Sequence, residues 1–205
     1  LREGVEALSK CCIDLDVSVP VGKDSLSMRT KWNEGSEELT VKSPLSGIIT
    51  AMAPVDDVTV SVTPELKINH DSQLLFVRLN DEKRLAGSIF SEVTKSDFSE
   101  TPDIDDMSLF KKMFVSIQDL ISKKMVLALH DISDGGLIIS LLEMAFTKKV
   151  GLEILIDSLD ERNLNENLFA EEIGFVIQVQ DENIDKVIKS LSSNNILVNC
   201  IGKVS

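Results

Sequence analysis

The sequence predicts an α+β fold with an α/β-like alternation of strands and helices. Beyond about residue 74, short apolar runs alternate with longer stretches whose apolar residues recur at three and four. The composition, 43% hydrophobic and 27% charged over 205 residues, is that of an ordinary globular chain. The polar stretch TPELKINHD (63–71), which contains Pro64, separates two rhythms and marks a domain boundary. Drawn between 67 and 68, it divides the chain into 1–67 and 68–205.

Leu1, Val5, Leu8 and Cys12 fall at helical spacing and predict a short amphipathic helix. Residues 17–29 read as extended, broken near their start by Pro20 and Gly22 and carrying a polar loop at Lys23, Asp24 and Ser25. A polar turn or excursion at 33–38 follows, then a second extended run at 48–60 interrupted by Pro54. These two runs read as neighbouring strands of one sheet. Residues 74–79 predict a strand, 85–93 a helix, and the acidic, Pro102-bearing stretch 95–106 a surface loop. Leu109, Phe110, Met113, Phe114, Ile117, Leu120 and Ile121 then describe a broad apolar stripe, which predicts a helix packed on the core through all seven. Residues 126–130 predict a strand, 137–146 a helix and 152–156 a strand. Asn163 followed by Glu166 fits a capping box. A strand at 175–179, a helix at 184–191 and a closing strand at 196–204 complete the pattern, with the sheet on one side and the helices on the other.

Thirty-four acidic against 21 basic residues give a formal charge of −13. Such a surface repels a phosphate backbone, which argues against nucleic-acid binding. An anionic ligand must be held by a local device such as a helix N-terminus or a metal ion. No apolar run approaches the ~20 residues of a membrane helix, and no signal peptide is recognisable. Three cysteines, Cys11, Cys12 and Cys200, are too few for a disulfide framework, and adjacent Cys11 and Cys12 suit no zinc site. They read as reduced, mostly buried thiols of a cytosolic protein. The chain begins without Met inside a helical pattern, which points to a piece of a longer protein.

The most informative string is VLALHDISDGGLIISLL (126–142). An apolar strand delivers His130 and Asp131 to its carboxyl end, where α/β proteins place ligands. Ser133 and Asp134 take the N-cap and first-turn region of the next helix. Gly135 and Gly136 leave its first backbone N–H groups uncovered, so that a phosphate can approach. A carboxylate at the strand end suits Mg²⁺. The same residues also read as plain punctuation, with polar caps and a glycine turn. His130 shows no partner in the sequence and reads as a turn histidine. VGKDSLSM (21–28) has the lysine and hydroxyls of a phosphate loop without the G-x-x-x-x-G-K-[ST] spacing, so it reads as a polar loop. His70 sits in the linker. The acidic stretches 97–106 and 157–161 read as solvated surface.

These strings carry a resemblance. VPVGKDSLSM…W…ELTVKSPLSGIITAMAPVDDV, ALHDISDGGLIISLLEMAF and FAEEIGFVIQV, in this order, resemble the phosphoribosylformylglycinamidine synthase family over essentially the whole chain. The similarity is to the second of the two aminoimidazole-ribonucleotide-synthetase-like halves of the long, single-chain form. It implies the end of an N-terminal synthetase-like subdomain over 1–67 and a synthetase-like C-terminal domain over 68–205. The implied activity is that of an ATP-dependent carbon–nitrogen ligase of purine biosynthesis. The amide oxygen of formylglycinamide ribonucleotide is phosphorylated by ATP, and ammonia from glutamine displaces the phosphate to give the amidine.

By the same resemblance Asp131 matches a Mg²⁺-binding aspartate and Ser133 a nucleotide-contacting serine, so Mg²⁺ and ATP or ADP are the implied ligands. No residue here matches a catalytic one. The family's other Mg²⁺ ligands match positions upstream of Leu1, and its glutaminase nucleophile matches none of the three cysteines. The implied partners are the small-molecule nucleotide substrate and the rest of the same cytoplasmic polypeptide, including the first synthetase-like half and the glutaminase domain. Two other readings stand beside this one. The chain could be a non-catalytic scaffold module carrying part of an auxiliary nucleotide site, or another member of the same ATP-binding superfamily, such as a selenophosphate synthetase or thiamine-monophosphate kinase.

Overall fold

The computed structural model describes residues 2–23, 28–44, 46–68, 71–155 and 163–205. They form two compact units, Leu1–Asp56 and Asp57–Ser205. Asp24 and Ser25 of the polar loop, His70, Ile156 and the acidic stretch 157–161 lie outside the described residues.

In the first unit, helix α1 (Arg2–Asp14) ends where Asp16 adopts a left-handed conformation (φ 58°). There the Val17 N–H reaches back to the Cys12 carbonyl at 2.9 Å, a common way of satisfying the last carbonyls of a helix. Strands β1 (Arg29–Glu34) and β2 (Glu37–Lys42) then pair antiparallel, with Trp32 opposite Leu39 and Glu34 opposite Glu37. Gly35 and Ser36 form the two-residue turn, and Gly35 takes the positive φ (66°) that such hairpin turns require. The strands therefore flank the polar turn closely, and the extended runs expected at 17–29 and 48–60 are not its partners. Pro20, Gly22, Pro44 and Pro54 break the outer segments, whereas TKWNE and EELTVK alternate without a proline. No described residue of this unit is buried.

The second unit is built on a five-stranded sheet in the order β4-β6-β3-β7-β5, in which every neighbouring pair is antiparallel. The strands are β3 (Ser72–Arg78), β4 (Ala128–Asp131), β5 (Leu152–Ile154), β6 (Gly174–Gln180) and β7 (Leu197–Val204). The helices are α2 (Ile89–Thr94), α3 (Met107–Ser122), α4 (Gly136–Lys148), α5 (Leu164–Phe169) and α6 (Ile184–Ser192). Leu75, Val77, Ile177 and Val179 point to one face, where Met113, Ile117 and Leu120 of α3 and Val187 and Leu191 of α6 cover them. Leu74 and Val176 point to the other, against Leu137, Leu141 and Met144 of α4, with Leu164 and Leu168 of α5 beside them.

Helices thus cover both faces, not one as the sequence reading had it. Successive side chains of a strand point to opposite faces, so the unbroken runs LLFV and GFVI in the two central strands need apolar cover on both. Each fully buried Leu, Ile or Met side chain contributes about 1.5–3 kcal/mol by leaving water.

Three local details also depart from the sequence reading. Phe114 is not core: it is 52% exposed on the outer flank of α3. Helix α2 starts at Ile89 rather than 85, because Gly87 turns the chain (φ 75°) and the Ser88 hydroxyl accepts the Ser91 N–H at 3.1 Å. Asn163 stands at the N-cap of α5, but its side chain accepts no helix N–H, so the expected capping box is not made.

Residues before the expected 67/68 boundary pack with the second unit. Leu66 is fully buried beside Leu74 and Ala128. The buried Gln178 amide accepts the Lys67 N–H and donates to the Lys67 carbonyl, both at 2.8 Å. The three cysteines are free and half-buried. Among the described residues no helix is long and apolar enough to cross a membrane.

Candidate functional site

Strand β4 pairs with β6 along its length, and the Ile132 N–H closes on the Gly174 carbonyl at 2.9 Å. The strand end is therefore fixed where the chain leaves the sheet. Asp131 is its last residue, with its side chain 68% exposed. Ser133 and Asp134 are exposed in the turn that follows. Neither caps the next helix. Gly135 holds the N-cap position of α4, without a side-chain cap, and it and Gly136 are left-handed (φ 89° and 72°). The Gly136 N–H donates to the Ser133 carbonyl at 3.0 Å. A Cβ on Gly136 would lie 2.7 Å from the carbonyl carbon of Phe169, so glycine also lets the end of α5 close on the turn.

The N–H groups of the two glycines are themselves occupied, while no side chain caps the helix that follows. Glu171 Oε1 accepts the Gly135 N–H at 2.8 Å and the Ile89 N–H at 2.9 Å. One internal carboxylate thus binds the α4 turn and the start of α2, using the affinity of helix starts for anions. Its neighbour Glu172 is buried and forms a fork with Arg84, accepting from Nε at 2.7 Å and from Nη2 at 2.8 Å. Asp105 holds the same guanidinium at 3.1 Å. The hydrogen bond to Glu172 raises the Arg84 pKa further above its already high value, against the opposing effect of burial.

His130 has the partner that the sequence does not reveal. Its Nδ1 lies 2.7 Å from the Asp131 carbonyl oxygen, and its Nε2 lies 2.8 Å from Glu143 Oε2 on α4. The Ser140 hydroxyl, also on α4, donates to the same Asp131 carbonyl at 3.0 Å. Sequence reasoning missed Glu171, Glu172, Arg84, Ser140 and Glu143 as members of this neighbourhood. The one signal for the first two was the FAEEIGFVIQV string, which carried the resemblance but assigned them no role.

Among the described residues no group of three or more His, Cys, Asp or Glu side chains could hold a metal ion by itself. Asp131 nevertheless fits one position of a Mg²⁺ shell. It is a hard, exposed oxygen donor, and Mg²⁺ is commonly held by one or two carboxylates together with waters and phosphate oxygens. A second hollow, an open cleft of about 510 Å³, is lined by Glu82, Arg84, Ser99, Glu100, Thr101, Asp103 and Asp105. Its four carboxylates, with Arg84 already paired, make it unsuited to a phosphate. Lys23 of the polar loop is exposed in the first unit.

Residues 75–205, more than half of the chain, match the family "AIR synthase related protein, C-terminal domain". The chain belongs to that family. Residues 1–54 match a second family, "FGAR-AT PurM_N-like domain". Phosphoribosylformylglycinamidine synthase of the fission yeast Schizosaccharomyces pombe is 44% identical over 211 residues, a match that takes in 100% of this chain and 16% of the yeast protein. The chain therefore spans about a sixth of the curated relative it matches.

Among solved structures, phosphoribosylformylglycinamidine synthase II from Thermotoga maritima superimposes with a TM-score of 0.66 at 9% identity, over 98% of this chain and 31% of that one. T. maritima PurL complexed with FGAR gives 0.58 at 11% identity, over 82% and 27%. At these identities the likeness is one of fold.

Proposed function

We propose that this chain is part of a phosphoribosylformylglycinamidine synthase, an ATP-dependent carbon–nitrogen ligase that uses glutamine as its ammonia source in the cytoplasm. The observation that carries the reading is the 44% identity to the yeast synthase, which takes in the whole of this chain and so both units. In this reading the first unit, Leu1–Asp56, ends an N-terminal synthetase-like subdomain and the second, Asp57–Ser205, is the C-terminal one. The partners are the rest of the same polypeptide, with its first synthetase-like half and glutaminase domain, and the nucleotide substrate. In the reaction the amide oxygen of the substrate takes the γ-phosphoryl group of ATP and ADP leaves. Ammonia then bonds to the amide carbon, and phosphate departs with the oxygen.

Within that assembly Asp131 holds one coordination position of Mg²⁺, and Ser133 contacts the nucleotide. Bound Mg²⁺ supplies positive charge that neutralises phosphate oxygens. Glu171 keeps the turn closed by occupying the Gly135 N–H. The full-length protein, given ATP, glutamine and formylglycinamide ribonucleotide, should form ADP, glutamate and amidine in equal amounts. ATP consumption without amidine would refute the reading. For the chain alone a scaffold role is favoured by the lack, among the described residues, of any group of three metal-ligating side chains and by the occupied Gly135 N–H. The isolated chain should show neither synthase nor glutaminase turnover, and glutamate release by it would contradict this.

A further inference from the structure

Asp131 is the only residue of the 130–134 turn whose backbone carbonyl is gripped from two directions by described side chains. The His130 ring sits beside it, 13% exposed, with Nδ1 2.7 Å from that carbonyl oxygen. A carbonyl only accepts, so Nδ1 carries the proton of this hydrogen bond. The other grip comes from the buried Ser140 hydroxyl, at 3.0 Å. The imidazole is in turn fixed at its far nitrogen by Glu143 Oε2 at 2.8 Å, three residues after Ser140 on α4. Both anchors thus stand on one helix, while the residue they hold ends an edge strand. The carbonyl cannot rotate without breaking two hydrogen bonds, and on a fixed backbone the carboxylate is left turned to solvent, 68% exposed.

We infer that His130, tied down by Glu143 and assisted by Ser140, is the positioning residue of Asp131. It fixes the peptide whose side chain ligates the nucleotide-bound cation. The inference rests on the reading of Asp131 given above and deepens it. The ring meets Asp131 first through its peptide, Nδ1 lying 2.7 Å from the carbonyl oxygen and 3.5 Å from the carboxylate Oδ1. Groups that orient a metal ligand in this way commonly matter about 10- to 100-fold for metal affinity.

The two ring nitrogens can be tested separately in the full-length protein, because an Asn amide can stand in for Nδ1 and a Gln amide for Nε2. Mg-ADP affinity is measured by calorimetry, beside a thermal melt of each variant. His130→Asn keeps the donor to the Asp131 carbonyl and should stay within about threefold of wild type, whereas His130→Gln should lose at least about tenfold. Ser140→Ala should fall between them. In an Asp131→Asn background, His130→Gln should cause no further loss.

Equal losses for His130→Asn and His130→Gln that follow their melting temperatures would make the histidine merely structural and overturn the inference. So would wild-type affinity in His130→Gln while Asp131→Asn is weakened. If Asp131→Asn itself binds Mg-ADP as wild type does, the metal reading of the site fails and the positioning role fails with it.

Discussion

Removing Glu172 tests the clamp that supports the candidate site. In the structure its carboxylate accepts three hydrogen bonds from Arg84: Nε at 2.7 Å, Nη2 at 2.8 Å and the backbone N–H at 3.1 Å. The Glu172 side chain is 9% exposed and that of Arg84 12%. Breaking a buried ion pair from one side typically costs about 3–5 kcal/mol, because the remaining charge is left in a poorly solvated place. Here Asp105 still holds the guanidinium at 3.1 Å and the Asp103 carbonyl accepts from it at 3.0 Å, so the stranded charge is partly compensated. Glu172→Ala should therefore fall at the lower end, about 3 kcal/mol. For a domain of this size that is a fall of roughly 6–12 °C in melting temperature. Asp105→Ala, which removes an exposed partner, should cost less than about 1 kcal/mol. Urea melts of the 205-residue chain, read with slope and midpoint separately, decide the matter. A loss under about 1 kcal/mol for Glu172→Ala at unchanged slope would show that the pair is not the clamp described.

Two further predictions concern the core and its pH dependence. Met113→Ala should cost about 2–5 kcal/mol and Phe114→Ala less than about 1, since Met113 is fully buried and Phe114 is not; denaturant melts giving the opposite order would misplace α3. The Glu65 carboxyl is held below its ordinary value first by the hydrogen bond from Lys148 at 2.6 Å, then by the charges of Lys148 and Lys67. A lowered folded-state pKa gives stability that is present above the unfolded carboxylate range and lost as pH falls through the folded value. Glu65→Gln should therefore be less stable than wild type near about pH 7 and indistinguishable near about pH 2, and a gap that widens on acidification would contradict this.

The sequence made the second unit largely legible. Its strands are short and strongly apolar, and its longer helices carry a clear 3.6-residue period, so element order followed from pattern alone. What it hid was the aim of each face. On α3, Phe114 lies about 100° around the helix from Met113, at the margin of the stripe, and the buried arc turns instead toward Ser116. Ser116 is polar and invisible to a hydrophobic pattern, yet it is buried and accepts from the Asn194 amide at 3.1 Å. The two-sided cover of the sheet could have been read from the unbroken run LLFV. At the site, the order of strand, polar turn, glycine pair and helix was legible because these residues are contiguous. Glu171, Glu172 and Arg84 were not, because the contacts that give them meaning span 36 and 88 residues of chain.

The central claim is that Asp131 holds a cation carrying nucleotide phosphates. Asp131→Asn keeps the shape of the side chain and removes its charge, so the fold should be preserved, as judged by its melt. Mg-ADP titrated into the full-length variant should bind at least about tenfold more weakly than into wild type, or roughly 1.4 kcal/mol, for the loss of one charged ligand. Wild-type affinity in that variant, with nucleotide seen crystallographically at the same place, would leave Asp131 a turn residue and the site elsewhere.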